Sequence, residues 1–208
     1  MSNYYNHPYC SNSALSKLQG RAFAGDPYES YRIGSLVDAV ITEPLKLDLI
    51  QRKIIGTDYT FTKEEYEHAK KMRAAFVADP FCKLLLESSS PQLEVYCDAL
   101  PVAFMGFRFE LPFKGKFDLP AAHQNIVGDL KTTFATTQGQ FEQACGQFDY
   151  WRQMYAYMQL LRVEKAALVG VSKKNFKVFK ILIKKNDQRY LLGKASFEAL
   201  AFKYWVLN

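Results

Sequence analysis

Cysteine is scarce in this chain and badly spaced for metal. Only Cys10, Cys82, Cys97 and Cys145 occur among 208 residues, and no two form a CxxC pair. The ligand spacing of structural zinc sites and iron–sulfur clusters is therefore missing. The three histidines, His7, His68 and His123, converge on no motif. No Gly-rich phosphate loop or dinucleotide fingerprint is present, which removes the common nucleotide-cofactor enzymes. No apolar run approaches the ~18 residues needed to cross a bilayer, and the first residues are polar, unlike a secretory leader. Internal repeats, low-complexity tracts and a clear interdomain linker are also missing. These absences lead us to expect a soluble, intracellular protein with free thiols and no membrane partner.

What is present is apolar and aromatic. Hydrophobic residues make up 49% of the chain, including 16 Phe and 13 Tyr. A chain of this size removes roughly 70% of its unfolded surface from water. One domain over 1–208, with an N-terminal helical segment, is the expected organisation. The formal charge of +6 is uneven: Lys165 to Asn208 holds ten basic and two acidic residues, a net of +8, so the first 164 residues sum to −2. A basic C-terminal third suits a polyanion such as nucleic acid. A solvated basic surface is the plain alternative.

Ser11 or Ser13 is positioned to cap a short helix through Gln19, and the segment from Arg21 to Ser30 reads as a loop or weak helix. Helices are expected over 31–42, 63–78 and from Pro80 through Glu87. Thr62 and Glu65 have capping-box spacing, and Asp79-Pro80 restarts the chain as a helix. LEVYCDA, VAFMGFRFEL, FKGKFDL and NIVGDLKT read as strands, with residues 120–125 closing a hairpin between the last two. A long helix is expected over 138–162, two strands at AALVGVS and FKVFKILI, and a last helix over 193–206. The order gives a mixed α/β (α+β) fold.

Within it, Asp118 and the pair Asp129 and Lys131 stand out. Side chains two apart on a strand share a face, so Asp129 and Lys131 point together while Leu130 turns toward the core. Asp118, on the preceding hairpin arm, can approach Asp129 across an antiparallel pair. Two carboxylates at that range repel unless a cation separates them. Oxygen donors, with the Leu130 carbonyl as one more, favour magnesium or manganese. Such an ion activates water and polarises phosphate, with Lys131 beside the developing charge. Ordinary hairpin chemistry can also produce an Asp-x10-Asp-x-Lys pattern. On the 138–162 helix, Gln153 and Tyr157 share one face, which Asp149 extends by a turn. On 31–42, Gly34 and Asp38 stand four apart. Asp38 lies among apolar neighbours and needs a partner, either a metal or a salt bridge to Lys116 or Arg32.

Taken in order, YRIGSLVDAVITEP, GKFDL, IVGDLKTT and FDYWRQMYAY resemble the motifs of the PD-(D/E)xK nuclease superfamily. They are most similar to those of the RecE-like and phage lambda exonuclease-like recombination enzymes. The resemblance covers residues 10 to 205 and implies a central mixed sheet flanked by helices, with the active site at one sheet edge. It implies a magnesium-dependent DNA exonuclease, with manganese as a substitute ion. Asp118 and Asp129 would hold metal, Lys131 would place water, and Gln153 and Tyr157 would organise the site. The family's usual His is Asp38 here, which would ligate or orient metal in an all-oxygen site. Lys173, Lys174, Lys177, Lys180, Lys184 and Lys185 are candidates to hold the DNA backbone. Phe176, Phe179 and Trp205 are expected in the core rather than stacking on bases. The resemblance also implies duplex DNA with a free end as substrate and a recombination or repair role of phage type. It further implies a single-strand annealing protein as partner, homo-oligomers, and a cytoplasmic setting in a bacterium or phage-infected cell. A sequence- or structure-specific endonuclease of the same superfamily, and a catalytically weak DNA-binding protein retaining the fold, are the competing expectations.

Overall fold

A computed structural model describes residues 4–20 and 27–208. The elements run β1 (Cys10–Ser11), α1 (Asn12–Leu18), α2 (Pro27–Thr42), β2 (Leu47–Asp48), β3 (Lys53–Ile54), α3 (Lys63–Ala78), α4 (Pro80–Glu87), β4 (Leu93–Phe104), β5 (Phe107–Phe117), β6 (Leu119–Ala121), β7 (Ile126–Thr133), α5 (Gln138–Gln147), α6 (Tyr150–Leu161), β8 (Lys165–Ser172), β9 (Val178–Lys184) and α7 (Gln188–Leu207). This is the mixed α+β class expected from the sequence.

Local chemistry starts the helices. Ser11 caps α1 by accepting from the Ala14 amide. Thr62 and Glu65 form the reciprocal capping box of α3, and Asp79 caps α4 by accepting from the amides of Phe81 and Cys82. Each such cap satisfies amides that the first helical turn leaves without a carbonyl, and is worth about 1 kcal/mol.

The strands form two larger sheets. One has the order β6-β7-β8-β9 and the other β1-β5-β4. β6 and β7 are antiparallel, β7 and β8 parallel, and β8 and β9 antiparallel. A parallel neighbour needs a crossover, which α5 and α6 supply. β5 and β6 are separated by Asp118 alone. The same hairpin arm therefore leaves one sheet and joins the other at that aspartate.

Both faces of the four-stranded sheet are covered. Phe141, Met154, Tyr155, Met158 and Phe197, from α5, α6 and α7, pack with Leu168 and Ile181 on one side. Leu36, Val40, Met72, Phe76 and Leu85, from α2, α3 and α4, pack with Leu130 and Val169 on the other. This is why Ala166 through Val169 on β8 have no solvent exposure and read as a continuous apolar run. α7 lies against α6 so closely that a Cβ at Gly193 would stand 2.2 Å from the Trp151 carbonyl oxygen.

Several boundaries differ from the sequence reading. The expected 138–162 helix is two helices, broken at Phe148 and Asp149, where Asp149 takes a left-handed backbone with φ 56°. VAFMGFRFEL is not one strand: Met105 and Gly106, both at positive φ, turn the chain between β4 and β5. α2 begins at Pro27 rather than 31, and α7 at Gln188 rather than 193. The segment from Arg21 to Ser30, read as a loop or weak helix, falls partly outside the described residues, and its described part, 27–30, is helical. Phe179 is buried as expected, Phe176 packs partly buried against the core, and Trp205 is 46% exposed while stacking on Phe109.

Candidate active site

Asp118 sits at the bend where β5 becomes β6. Its Oδ2 accepts from the Leu130 amide at 2.9 Å, which ties the bend to β7. In an extended strand a residue's N–H and C=O point to the same side, so the Leu130 carbonyl also faces the Asp118 side, away from β8. Burial, followed by the charges of Asp38 and Asp129, pushes the Asp118 carboxyl well above its usual range.

Asp129 lies in the middle of β7 and is 2% exposed. Its Oδ1 accepts from Gln153 Nε2 at 2.9 Å. Its Oδ2 meets Lys131 Nζ at 2.6 Å. That approach is an ion-pair contact off the hydrogen-bonding direction, so Oδ2 is a buried oxygen with no aligned donor. Burial raises the Asp129 pKa, and the Lys131 charge opposes that rise. Lys131 itself stays firmly protonated: burial lowers its pKa, but Asp129, above all, more than restores it. The Lys131 ammonium also stands 4.5 Å from the centre of the Tyr150 ring.

α6 braces these strands from one face. Gln153 Nε2 donates to Asp129 and, at 3.0 Å, to the Tyr157 hydroxyl. That hydroxyl donates to the Lys116 carbonyl of β5 at 2.9 Å. The shared face of Gln153 and Tyr157, read from their spacing, thus links β7 to β5 across the gap between the sheets. Asp149 does not extend that face. Its Oδ2 accepts from Arg152 at 2.8 Å, Gln19 at 2.8 Å and Ser196 at 2.6 Å, joining the N-terminal segment, α6 and α7.

α2 brings Asp38 to the same region from the opposite face. Neither Arg32 nor Lys116 forms an ion pair with it. Arg32 instead binds Glu29 and Glu65. Asp38 accepts from Gln92 Nε2 at 2.8 Å and Thr42 Oγ1 at 3.2 Å. Burial raises its pKa to about 6, with Glu43 and Asp129 adding to the rise. Gln92 was missed in the sequence, where it lies in an ordinary loop before β4 and carries no local signal. Only the fold places it against α2.

The donor set fits a hard divalent cation. Asp118, Asp129, the Leu130 carbonyl and Asp38 offer only oxygen, and one oxygen of Asp129 lacks an aligned donor. Among the described residues, however, no group of three or more His, Cys, Asp or Glu side chains stands close enough to enclose an ion.

The six candidate lysines do not form one patch. Lys173 and Lys174 lie just past β8, beside the end of β7, where the Lys173 amide donates to the Thr133 carbonyl. Lys177 follows in the same turn. Lys180 pairs with Asp79, and Lys185 approaches Glu164 at 3.8 Å. Lys184 is opposite Lys165 at the far end of the sheet.

An acid at a strand bend, an acid-x-Lys strand beside it, and a helix reaching β7 with Gln153 and β5 with Tyr157 accompany a fold of the PD-(D/E)xK class. The family described as "PDDEXK-like domain of unknown function (DUF3799)" matches residues 1–189, and the chain belongs to it. No curated protein matches the chain significantly. Among solved structures, it is similar to a candidate exonuclease from Eubacterium rectale, with TM-score 0.59 and 16% identity over 95% of this chain and 80% of that one. A phage-related exonuclease from Haemophilus somnus 129PT aligns over 99% of this chain and 98% of that one, at 10% identity and TM-score 0.39. At such identities the first likeness shows a shared fold, and the second is too loose to add to it. No described helix is long and apolar enough to cross a membrane.

Proposed function

We propose that the protein is a magnesium-dependent deoxyribonuclease acting as an exonuclease at duplex ends. The observation that carries the reading is the buried Asp129 carboxylate, held by Gln153 on one oxygen and faced by Lys131 on the other. A protein that only bound DNA would gain little from burying a carboxylate beside phosphate.

Asp118, Asp129 and the Leu130 carbonyl would hold the ion, with Asp38 ligating or orienting it. Magnesium, when bound, supplies Lewis acidity toward the scissile phosphate and the attacking water. Lys131 keeps its proton and so would act as a cation: it would orient water or a phosphate oxygen and stabilise the negative charge that develops on the phosphoryl oxygens. Gln153 fixes the rotation of Asp129, and Tyr157 fixes Gln153 against β5. Such support typically governs ~10–100-fold of metal affinity or activity. Lys173, Lys174 and Lys177 would contact the DNA backbone near the site. Lys180, Lys184 and Lys185 would contribute a weaker, more distant field.

A catalytically weak DNA-binding protein is favoured by one observation: Asp38 is already satisfied by Gln92 and Thr42. Magnesium-dependent release of nucleotide from end-labelled linear duplex decides between the readings, with closed circular DNA and Lys131→Ala as controls. Degradation of linear DNA alone, abolished in the variant, is the expected result. Cleavage of the circle would make the protein an endonuclease. Absence of hydrolysis by folded, DNA-binding protein with magnesium or manganese would leave the binding reading.

A further inference from the structure

Beyond the carboxylates, the mouth of the site is lined by aromatic rings left in water. Tyr31, Gly34 and Asp38 lie on one face of α2, at helical spacings of three and seven. Tyr31 therefore stands ~10 Å along the helix from Asp38. That face leans on the end of β7, since a Cβ at Gly34 would lie 4.0 Å from Thr132 Oγ1. Phe134 is the first residue past β7 and only three beyond Lys131. Tyr31 is 62% exposed and Phe134 64% exposed.

The charges around these rings are arranged for a polyanion. Lys173 Nζ stands 4.8 Å from the Phe134 ring centre, and Lys131 Nζ is 4.5 Å from that of Tyr150. Tyr31 lies within electrostatic reach of Tyr150, and Lys173 within reach of Glu29 at the start of α2. The exposed Phe134 ring with Lys173 thus lies just past the end of β7, and Tyr31 lies on the face of α2 that meets that end. Every base presents a π-face, so exposed rings beside lysines suit a single strand whose bases are unpaired. A duplex interior keeps its base faces stacked inside, so only an end or a single strand offers such rings a partner.

We propose that Tyr31 and Phe134 stack on unpaired bases flanking the scissile phosphate, with Lys173 taking a neighbouring phosphate, so that the site engages a single-stranded or frayed end. The proposal rests on the nucleic-acid reading of the site and names its substrate class.

The test is binding in chelator, without turnover. A short single-stranded oligonucleotide is compared with an abasic strand of equal length by fluorescence anisotropy. Stacking is worth ~1–3 kcal/mol per base, so the wild type should prefer the base-bearing strand by ~5- to 150-fold. Tyr31→Leu and Phe134→Leu should each reduce that preference while the abasic strand still binds. Tyr31→Phe and Phe134→Trp should keep it. In the wild type, photocrosslinking of a 5-iodouracil oligonucleotide should map to Tyr31 or Phe134. Equal binding of the two strands, no binding of either, retained preference in both Leu variants, or crosslinks only elsewhere would overturn the proposal. Hydrolysis without base preference would sink this inference alone. Base preference without hydrolysis would instead sink the nuclease reading.

Discussion

Gln153 places its amide nitrogen 2.9 Å from Asp129 Oδ1 and 3.0 Å from the Tyr157 hydroxyl. One side chain on α6 thereby sets the rotation of a buried acid on β7. Through Tyr157 it is fixed to the backbone of β5. The acid's other oxygen is left facing Lys131. Without that brace the carboxylate would be free to turn, and its two oxygens would no longer be distinguished.

Gln153→Leu removes the donor while keeping bulk. The expected outcome is a ~10–100-fold fall in hydrolysis, as for other groups that orient ligands. Titration with magnesium under steady-state conditions checks it. Gln153→Glu should do worse, because it adds a third carboxylate to the Asp118 and Asp129 pair.

Lys131→Ala strips from Asp129 its ion-pair partner among the described residues. Breaking a buried ion pair by removing one member costs ~3–5 kcal/mol. Urea unfolding at neutral pH in chelator should show a loss of that order. The loss should shrink at acid pH, where Asp129 takes up a proton, and should shrink again with added magnesium. Activity should not return with magnesium.

Stability in chelator should fall as pH rises. The Asp38 pKa is raised to about 6, and Asp118 and Asp129 are raised as well. The folded state therefore binds more protons than the unfolded chain from pH ~4 upward, and unfolding free energy decreases with pH across that window. Melting temperature measured from pH 4 to 7.5 should decline, with the Asp38 contribution steepest at about pH 5, between its unfolded and folded pKa values. Asp38→Asn should flatten the decline there, and magnesium should offset it. A melting temperature rising through pH 6 would contradict the burial of these acids.

Asp149→Ala tests the other buried charge cluster. Arg152 is 1% exposed and would lose its ion-pair partner, while Gln19 and Ser196 would lose an acceptor. A destabilisation of ~3–5 kcal/mol by chemical denaturation is expected. Under conditions where the variant remains folded, magnesium affinity should change far less than in Gln153→Leu.

Lys173→Ala with Lys174→Ala should weaken DNA binding and flatten its salt dependence by about 1–2 in log–log slope, whatever the sequence. Lys180→Ala should change it less, since Lys180 is already paired with Asp79. Binding measured between 50 and 200 mM salt, roughly the range in which such contacts dominate, distinguishes the two.

The legible parts were those governed by local rules. Thr62 and Glu65 announce α3, and Asp79-Pro80 announces α4, because a cap is a contact between residues three apart. The pairing of Asp129 with Lys131 follows from strand alternation, and that of Gln153 with Tyr157 from helical spacing. The break at Asp149 was hidden because no proline interrupts residues 138–162. A left-handed turn is tolerated at that position because Asp149 gains three donors, two of them, Gln19 and Ser196, from distant segments. The turn at Met105 and Gly106 was hidden inside an apolar run, although the buried positions change phase across it, from Leu100 and Val102 on β4 to Phe109 and Leu111 on β5.

Charge, composition and local spacing therefore determined the fold class, the helix starts and which acids share a face with which partners. They follow from contacts within a few residues of chain. Tertiary structure alone decided that Asp118 sits where one sheet hands over to another, and that Gln92 rather than Arg32 or Lys116 satisfies Asp38. It also separated the lysines beside the site from those at the far end of the sheet. Those facts depend on which strands pair and which helix crosses them, and such pairings are fixed by burial of the two apolar faces of one sheet, not by any neighbour in sequence.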